Sequence, residues 1–154
     1  MLDVNEMKPT SKSVLVLGSV SAVGKAIAHE FAKEGYSLLL ADIDMEENGR
    51  IAKDIQIRYR VYCDTLFFDA GDIASHPTFL NKVIEKINGL PEGLVICFGY
   101  MPLQEEAQKD FELIKRTIDI NFTGAVSILE RIIGRFEERN HGFAIVISSV
   151  AGDR

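Results

Sequence analysis

Residues 13–24 read SVLVLGSVSAVG, in which a short apolar run ends at Gly18 and a second glycine, Gly24, follows six positions later. A β-branched apolar run of this length predicts a strand buried on both faces, over residues 13–17. Gly18 permits a tight turn, and Gly24 lets the following helix pack closely against the strand. Small residues between the glycines leave main-chain N–H groups accessible at a helix start, where a diphosphate can bind. A tight strand-to-helix turn also uses glycine for structural reasons alone, so both interpretations stay open here.

The alternation of strand and helix continues along the chain. Apolar residues at helical spacing predict a first helix over residues 23–32, closed by Gly35. Four further strands and two further helices are predicted, the strands at residues 38–41, 65–68, 94–98 and 143–148 and the helices at residues 45–59 and about 76–88. An amphipathic stretch from about Glu105 to Glu138 predicts a long helix that kinks near residues 121–124.

Five apolar strands that alternate with helices predict an α/β fold, because parallel strands need crossover helices on both faces of the sheet. The expected architecture is a doubly wound parallel sheet, the Rossmann fold. Residues 1–154 show no internal repeat and no linker-like change in composition, so a single domain is expected.

Composition and charge argue against several classes of protein. With 47% hydrophobic residues, the 154-residue chain can bury a core and is not expected to be disordered. Its 17 Lys and Arg residues against 23 Asp and Glu residues give a net charge of −6, so nucleic acid is not an expected partner. No apolar run approaches the roughly 18 residues of a membrane span. The N-terminus lacks the pattern of a secretory signal, which favours a cytoplasmic location.

The cysteines and histidines do not indicate a metal site. Cys63 and Cys97 lie 34 positions apart, and the three histidines are scattered along the chain. Neither arrangement has the ligand spacing of a zinc site or the pairing typical of a disulfide scaffold. The two cysteines are therefore expected to be buried free thiols.

Asp42 ends the second predicted strand, 24 residues after Gly18. An acidic residue near this separation is typical of a side chain that binds a ribose 2′-hydroxyl, and its charge repels a 2′-phosphate. The alternative is that Asp42 starts the next helix. Asp44, which Glu47 follows three positions later, is the better candidate for that cap. NAD(H) is therefore the favoured cofactor, and NADP(H) stays an alternative.

From its first strand to its last residue the chain resembles the short-chain dehydrogenase/reductases. The family's first turn, TGxxxGxG, is represented here by Gly18 and Gly24, with Ala22 in place of the middle glycine. The resemblance implies that Gly18, Ser21 and Val23 contact the diphosphate.

The resemblance also covers the ends of the third and fourth strands. In the segment FFDA, Asp69 and its neighbour Ala70 correspond to the family's adenine-contacting position, although an aspartate that merely ends a strand is an equal alternative. Of the family's NNAG segment only Gly99 remains, in the segment ICFG. The resemblance thus implies cofactor contacts at Asp69, Ala70 and Gly99.

Two catalytic residues follow from the resemblance. Asn121, in the segment INFTG, corresponds to the asparagine that kinks the long helix and holds a water in the family's proton relay. Ser149, in ISSVAG, corresponds to the serine that hydrogen-bonds the substrate carbonyl. The family's tyrosine and lysine would fall at position 162 and beyond, so we expect further residues after Arg154 that carry them. The chain as written would supply the cofactor half of such a site.

The resemblance implies an NAD(P)(H)-dependent oxidoreductase that transfers hydride between nicotinamide and a small alcohol or ketone. Within the family, His76-Pro77, Phe98-Gly99 and the residues around Ser149 look most like the decaprenylphosphoryl-2-keto-ribose reductases, which implies a sugar ketone. Two alternatives are a nucleotide-binding regulatory or scaffold protein without the proton donor, and a flavodoxin-like protein that Asp42 disfavours. The resemblance also implies a homodimer or homotetramer that pairs through the apolar face of the long helix.

Overall fold

The computed structural model describes residues 7–149. Five parallel strands form one sheet in the order β3-β2-β1-β4-β5. The strands are β1 (Ser13–Leu17), β2 (Ser37–Asp42), β3 (Cys63–Phe67), β4 (Gly93–Ile96) and β5 (Phe143–Val146). The predicted α/β class and doubly wound parallel sheet are confirmed.

Helices connect the successive parallel strands. Their bounds are α1 (Ala22–Lys33), α2 (Met45–Tyr59), a 3₁₀ turn (Ile73–Ser75), α3 (His76–Ile87), α4 (Gln104–Ala107), α5 (Phe111–Ile118), a π-helical turn (Asp119–Gly124) and α6 (Ala125–Glu138). None of the helices within residues 7–149 combines the length and the apolar character needed to cross a membrane.

The central strands are buried on both faces, as their continuous apolar sequences predict. One face of β1 and β4 packs against α3 and α6 through residues such as Leu15, Val83 and Ile132. The other face packs against α1 and α2 through residues such as Val16 and Ile55. The sheet thus has a separate apolar core on each side.

Chain order reverses at the middle of the sheet, and this sets the position of the site. From β1 the chain moves outward through β2 to β3, then returns to β4 on the other side of β1. At the carboxyl end of this central pair, Leu17 lies beside Ile96 in the parallel register. The loops that follow β1 and β4 diverge at such a point and open a crevice, the usual ligand position in this architecture.

The long helix predicted from about Glu105 is wrong in its first part. Helix α4 lasts one turn, and a new helix, α5, starts after Asp110, whose side chain accepts a hydrogen bond from the Glu112 N–H at 2.9 Å. The predicted kink is confirmed, because the π-helical turn Asp119–Gly124 separates α5 from α6. The predicted third strand also starts too late, since β3 begins at Cys63.

Candidate cofactor site

The turn after β1 brings two segments of main chain so close together that Gly18 cannot be replaced without a shift. Gly18 has φ +81°, and a Cβ built on it would lie 2.4 Å from the main-chain nitrogen of Phe98. Its N–H donates to the carbonyl oxygen of Ala41 at 2.9 Å, which ties the turn to β2. Both the positive φ and the close approach favour glycine. Gly18 therefore permits the turn that the sequence predicts.

Gly24 has the packing role that the sequence predicts. A Cβ on Gly24 would lie 2.3 Å from the carbonyl oxygen of Gly18, so the first turn of α1 rests directly on the loop. Ser21 is the N-cap of α1: its hydroxyl donates to the Gly18 carbonyl at 2.8 Å and accepts from the Gly24 N–H at 3.0 Å. Val23 lies in the same first turn with its side chain 49% exposed. First-turn N–H groups of a helix lack intrahelical partners and attract anions.

Asp42 lies at the carboxyl end of β2 and holds three main-chain donors. One carboxylate oxygen accepts from the Val20 N–H at 3.0 Å, and the other accepts from Ile43 at 2.8 Å and Asp44 at 3.3 Å. The helix cap is Asp44, which accepts from the Glu47 N–H at 3.0 Å. Asp42 therefore does not serve as the cap of α2, and its carboxylate stays at the rim of the crevice.

Asp69 and Ala70 form the opposite rim, after β3. The Asp69 carboxylate accepts from the Gly71 N–H at 2.8 Å, which closes a tight turn. Ala70 is buried, and a Cβ on Gly124 would lie 2.3 Å from the Ala70 carbonyl oxygen. The loop after β3 thus rests on the π-helical turn, and Gly124 is the residue that permits this approach.

Asn121 holds the loop after β4. Its side-chain oxygen accepts from the Tyr100 N–H at 2.6 Å, and its side-chain nitrogen donates to the Tyr100 carbonyl at 2.8 Å. The Arg116 guanidinium lies over the Tyr100 ring, 4.7 Å from its centroid. Asn121 lies in the π-helical turn that forms the kink. The same turn therefore kinks the helix and carries the side chain that holds this loop.

Ser149 follows β5 by three residues and is exposed. The Ile147 N–H donates to the Ile96 carbonyl at 2.9 Å, which extends the pairing of β5 with β4 towards the carboxyl edge. Ser149 therefore leaves the sheet at the same edge as Gly99, which follows β4. Residues 150–154, which complete the sequence motif around Ser149, lie outside the described residues.

A cavity of about 570 Å³ lies at this edge. Six of the predicted cofactor residues line it, namely Gly18, Ser21, Asp42, Asp69, Ala70 and Gly99. Val23 and Gly24 lie beside it in the first turn of α1, while Asn121 supports its wall through Tyr100. Sequence reasoning missed eight lining residues, which are Val20, Ile43, Phe68, Cys97, Phe98, Tyr100, Arg116 and Ile120. The missed residues lie in loops or on a helix face where no periodic pattern marks a ligand contact.

Both cysteines are free, as predicted, but the predicted burial holds for Cys63 and is wrong for Cys97, which is half-buried in the cavity wall. Burial raises the pKa of the Cys97 thiol to about 11, so this residue of the cavity wall is a neutral thiol near pH 7. Burial likewise raises the pKa of Cys63, far from the cavity in β3. Cys97 therefore contributes an apolar surface to the cavity and no nucleophile.

The geometry fits a dinucleotide, since a glycine-lined helix start, a carboxylate after the second strand and a cavity at the switch point of the sheet occur together. Comparison with known proteins agrees with this fit. The family model described as short chain dehydrogenase matches residues 12–154. Among curated relatives, oxidoreductase UcpA from Salmonella typhimurium is 29% identical over 150 residues, covering 95% of this chain and 54% of the relative.

Two solved structures have the same fold. A variant of actinorhodin polyketide ketoreductase with NADPH matches with a TM-score of 0.85 at 24% identity, covering 95% of this chain and 57% of that one. NAD⁺-bound xylitol dehydrogenase matches with a TM-score of 0.82 at 23% identity, covering 94% and 55%. The chain spans about half the length of the curated relatives it matches. It belongs to the short chain dehydrogenase family.

Proposed function

We propose that the chain binds a nicotinamide adenine dinucleotide across the carboxyl edge of its sheet and forms the cofactor half of an NAD(P)(H)-dependent oxidoreductase. The observation that carries the proposal is the close packing of Gly24 on the Gly18 carbonyl, which places the capped first turn of α1 beside the cavity that Gly18 and Ser21 line. Side chains at these two positions would collide with the main chain of Phe98 and of Gly18, so they would displace the turn whose N–H groups a diphosphate needs.

Different residues around the cavity would contact different parts of the cofactor. In this proposal the main chain from Gly18 to Val23 holds the diphosphate, and Asp42 accepts from the ribose hydroxyls. Asp69 and Ala70 border the adenine, and Gly99 lies on the path towards the nicotinamide. The carboxylate of Asp42 repels a 2′-phosphate, so we propose a preference for NAD(H). The two structures with this fold hold NADPH and NAD⁺, which supports a nicotinamide cofactor without choosing between the two forms.

The bound cofactor would supply a hydride donor or acceptor, and the chain's own residues would orient the substrate. We propose that Ser149 donates a hydrogen bond to the substrate carbonyl oxygen. The proposed part of Asn121 is to shape the helix and to hold a water in a proton relay. Its paired hydrogen bonds to Tyr100 support the shaping role, because they fix the loop that borders the cavity.

We propose a small alcohol or ketone as the substrate, with a sugar ketone as its specific form. UcpA is named an oxidoreductase, and the two structures of the same fold are named a ketoreductase and a dehydrogenase of xylitol. These names support carbonyl–alcohol chemistry as the reaction class. The cytoplasmic location and the absence of a nucleic-acid partner stay predictions.

We also propose that two copies pair through an apolar ridge on α5, the π-helical turn and α6. The ridge is formed by Phe111, Ile118, Phe122 and Val126, and the Phe122 side chain is 68% exposed. Exposed apolar side chains that continue along one helix face are typical of an interface. This supports the homodimer or homotetramer that the resemblance implies.

Titration of the ¹⁵N-labelled chain with NADH tests the proposed site. We expect the amide resonances of four residues to shift until they saturate, with one shared dissociation constant for NADH. These residues are Gly18, Val20, Ala70 and Gly99. The amide of Arg139, at the opposite edge of the sheet, is the internal control and should not shift. Shifts confined to the opposite edge, or none at all, would reject the site.

A further inference from the structure

His76 is a buried histidine that the proposed function does not use. It is the first residue of α3 and has no exposed surface. Its ring packs on Phe68, with 5.1 Å between ring centroids. Both ring nitrogens have partners: Nδ1 lies 3.0 Å from the Ser127 hydroxyl on α6, and Nε2 lies 3.4 Å from the main-chain carbonyl oxygen of Asp69.

The partners define the tautomer of the ring. A carbonyl oxygen only accepts, so Nε2 carries the proton and donates to Asp69. Nδ1 of the neutral ring then accepts from the Ser127 hydroxyl, which has its own proton to donate. The neutral imidazole satisfies both neighbours, and the Asp69 carbonyl has a second lone pair for the Asp72 N–H at 3.2 Å.

The carbonyl that His76 holds belongs to the rim of the cavity. Asp69 and Ala70 line the cavity, and Gly71 completes their turn by donating to the Asp69 carboxylate. On its other side the same loop rests on Gly124 through the Ala70 carbonyl. His76 is therefore the contact that joins residues 69–71 to α3 and, through Ser127, to α6.

We propose that neutral His76 is a positioning residue for the loop of residues 69–71, so that protonation of this one imidazole loosens the adenine side of the cofactor site. The inference rests on the proposed function, since it assigns that loop to the adenine. The imidazole touches neither the cofactor nor the substrate and acts only through the main chain of Asp69.

The surroundings of the ring favour its neutral form. Burial is the main cause that lowers the pKa of His76 below its ordinary value, and the charge of Arg131 on α6 acts in the same direction. The carboxylates of Asp69 and Asp72, from the loop before α3, and the hydrogen bond to the Asp69 carbonyl oppose it. Phe68 and Phe79 contribute only apolar contacts to this cluster. The Ser127 hydroxyl can turn to accept from an imidazolium, but the buried charge would still lack water, which an opened loop supplies.

NADH binding measured between pH 8 and pH 5.5 tests the inference. We expect the dissociation constant to rise as the pH falls, by up to about tenfold per pH unit once the histidine protonates, because one proton is linked to binding. His76→Gln keeps a side-chain N–H for the Asp69 carbonyl but cannot be protonated. This variant should bind NADH as the wild-type chain does at pH 8 and with a flat profile below it.

His76→Leu and His29→Gln complete the series. The leucine fills the space but donates nothing to Asp69, so NADH should bind more weakly at every pH. His29 lies on α1 beside Tyr59, outside the cavity, and its replacement should leave the pH profile of the wild-type chain unchanged. A wild-type slope that persists in His76→Gln would overturn the inference.

A measurement without cofactor separates this inference from the proposed function. The imidazole resonances of His76 and the amide resonances of Gly71 and Gly124 should titrate with one common midpoint, below that of an exposed histidine. In His76→Gln the two amides should no longer titrate with that midpoint. If NADH fails to bind while this coupling is present, the proposed function is wrong and the coupling stands. If the Gly71 amide does not follow His76, the inference fails whatever NADH does.

Discussion

The carboxylate of Asp42 accepts a hydrogen bond from the main-chain N–H of Val20 at 3.0 Å. Val20 lies in the turn between the two glycines, and Asp42 ends the neighbouring strand β2. The residue proposed to recognise the ribose thus also fixes the turn proposed to hold the diphosphate. The two parts of the site are coupled through one contact, so a change at Asp42 affects both.

Asp42→Asn tests this coupling. The amide oxygen still accepts from the Val20 N–H, but the negative charge is lost, so we expect NADPH to gain affinity relative to NADH by about tenfold or more, since hydrogen bonds to charged groups contribute about 1.5–3 kcal/mol. Asp42→Ala, which also frees the Val20 N–H, should weaken both cofactors. The measurement is the ratio of the two dissociation constants for each variant. An unchanged ratio in Asp42→Asn would contradict the proposed contact with the ribose.

Gly24→Val tests the close packing of α1 on the turn. The new Cβ would lie 2.3 Å from the Gly18 carbonyl oxygen, so the turn must shift, at a cost of about 1–3 kcal/mol in the free energy of unfolding. We expect NADH binding to be lost as well. Urea unfolding and NADH titration measure the two effects.

Gly134→Ala is the matched control for that variant. Gly134 is exposed in α6, and a Cβ there would meet nothing within 4 Å. The alanine should stabilise the chain by about 0.5–1 kcal/mol, because glycine is the poorer helix former, and should leave NADH binding unchanged. Equal effects of the two substitutions on NADH binding would show that the turn has no special part.

Asn121→Ala removes both hydrogen bonds to the main chain of Tyr100. We expect a loss of about 1–2 kcal/mol in the free energy of unfolding, since each such bond contributes about 0.5–1.5 kcal/mol. The Tyr100 amide should show a larger increase in hydrogen exchange than the buried amides of β1, which exchange through global unfolding. Hydrogen exchange measured residue by residue distinguishes this local release from a general loss of stability.

The pH dependence of stability follows from His76. Its pKa is lowered in the folded chain, so between that value and the ordinary 6.5 the unfolded chain binds more protons. The stabilisation is complete above 6.5 and is lost as the pH falls towards the folded-state pKa. The wild-type chain should therefore lose more free energy of unfolding than His76→Gln between pH 7.5 and pH 5.5. Equal losses in urea unfolding would show that the histidine titrates freely.

Phe122→Glu tests the proposed pairing through α5 and α6. The charge would lie within the apolar ridge, and burying it against a second copy is unfavourable, so sedimentation velocity should show the monomer. Ile57→Ser is the control: Ile57 is 53% exposed on α2, which packs on the other face of the sheet from α6, and its loss should leave the oligomeric state unchanged. A wild-type chain that sediments as a monomer would contradict the pairing.

The residues that local rules govern could be predicted from the sequence. Gly18 and Gly24 mark the turn because their spacing follows from main-chain geometry, and the kink near Asn121 follows from a polar residue and a glycine inside a helix pattern. The break before α5 was missed, although Asp110 immediately before Phe111 is a typical cap. That signal was weaker than the amphipathic pattern that runs across it.

Contacts between distant segments could not be predicted. Arg116 reaches the cavity wall only because α5 lies over the loop after β4, where its guanidinium meets Tyr100. His76 is recognisable from the sequence as part of a helix start, but its burial depends on α6, which is some 50 residues away and supplies Ser127. The roles of such residues depend on how distant segments pack together, and no periodic pattern in the sequence marks them.

The most direct test of the central claim is a titration of the purified chain with NADH and, separately, NADPH, followed by the fluorescence of the reduced nicotinamide. We predict saturable binding of one cofactor per chain, tighter for NADH, lost in Gly24→Val and retained in Gly134→Ala. A folded chain that binds neither cofactor at millimolar concentration would contradict the account.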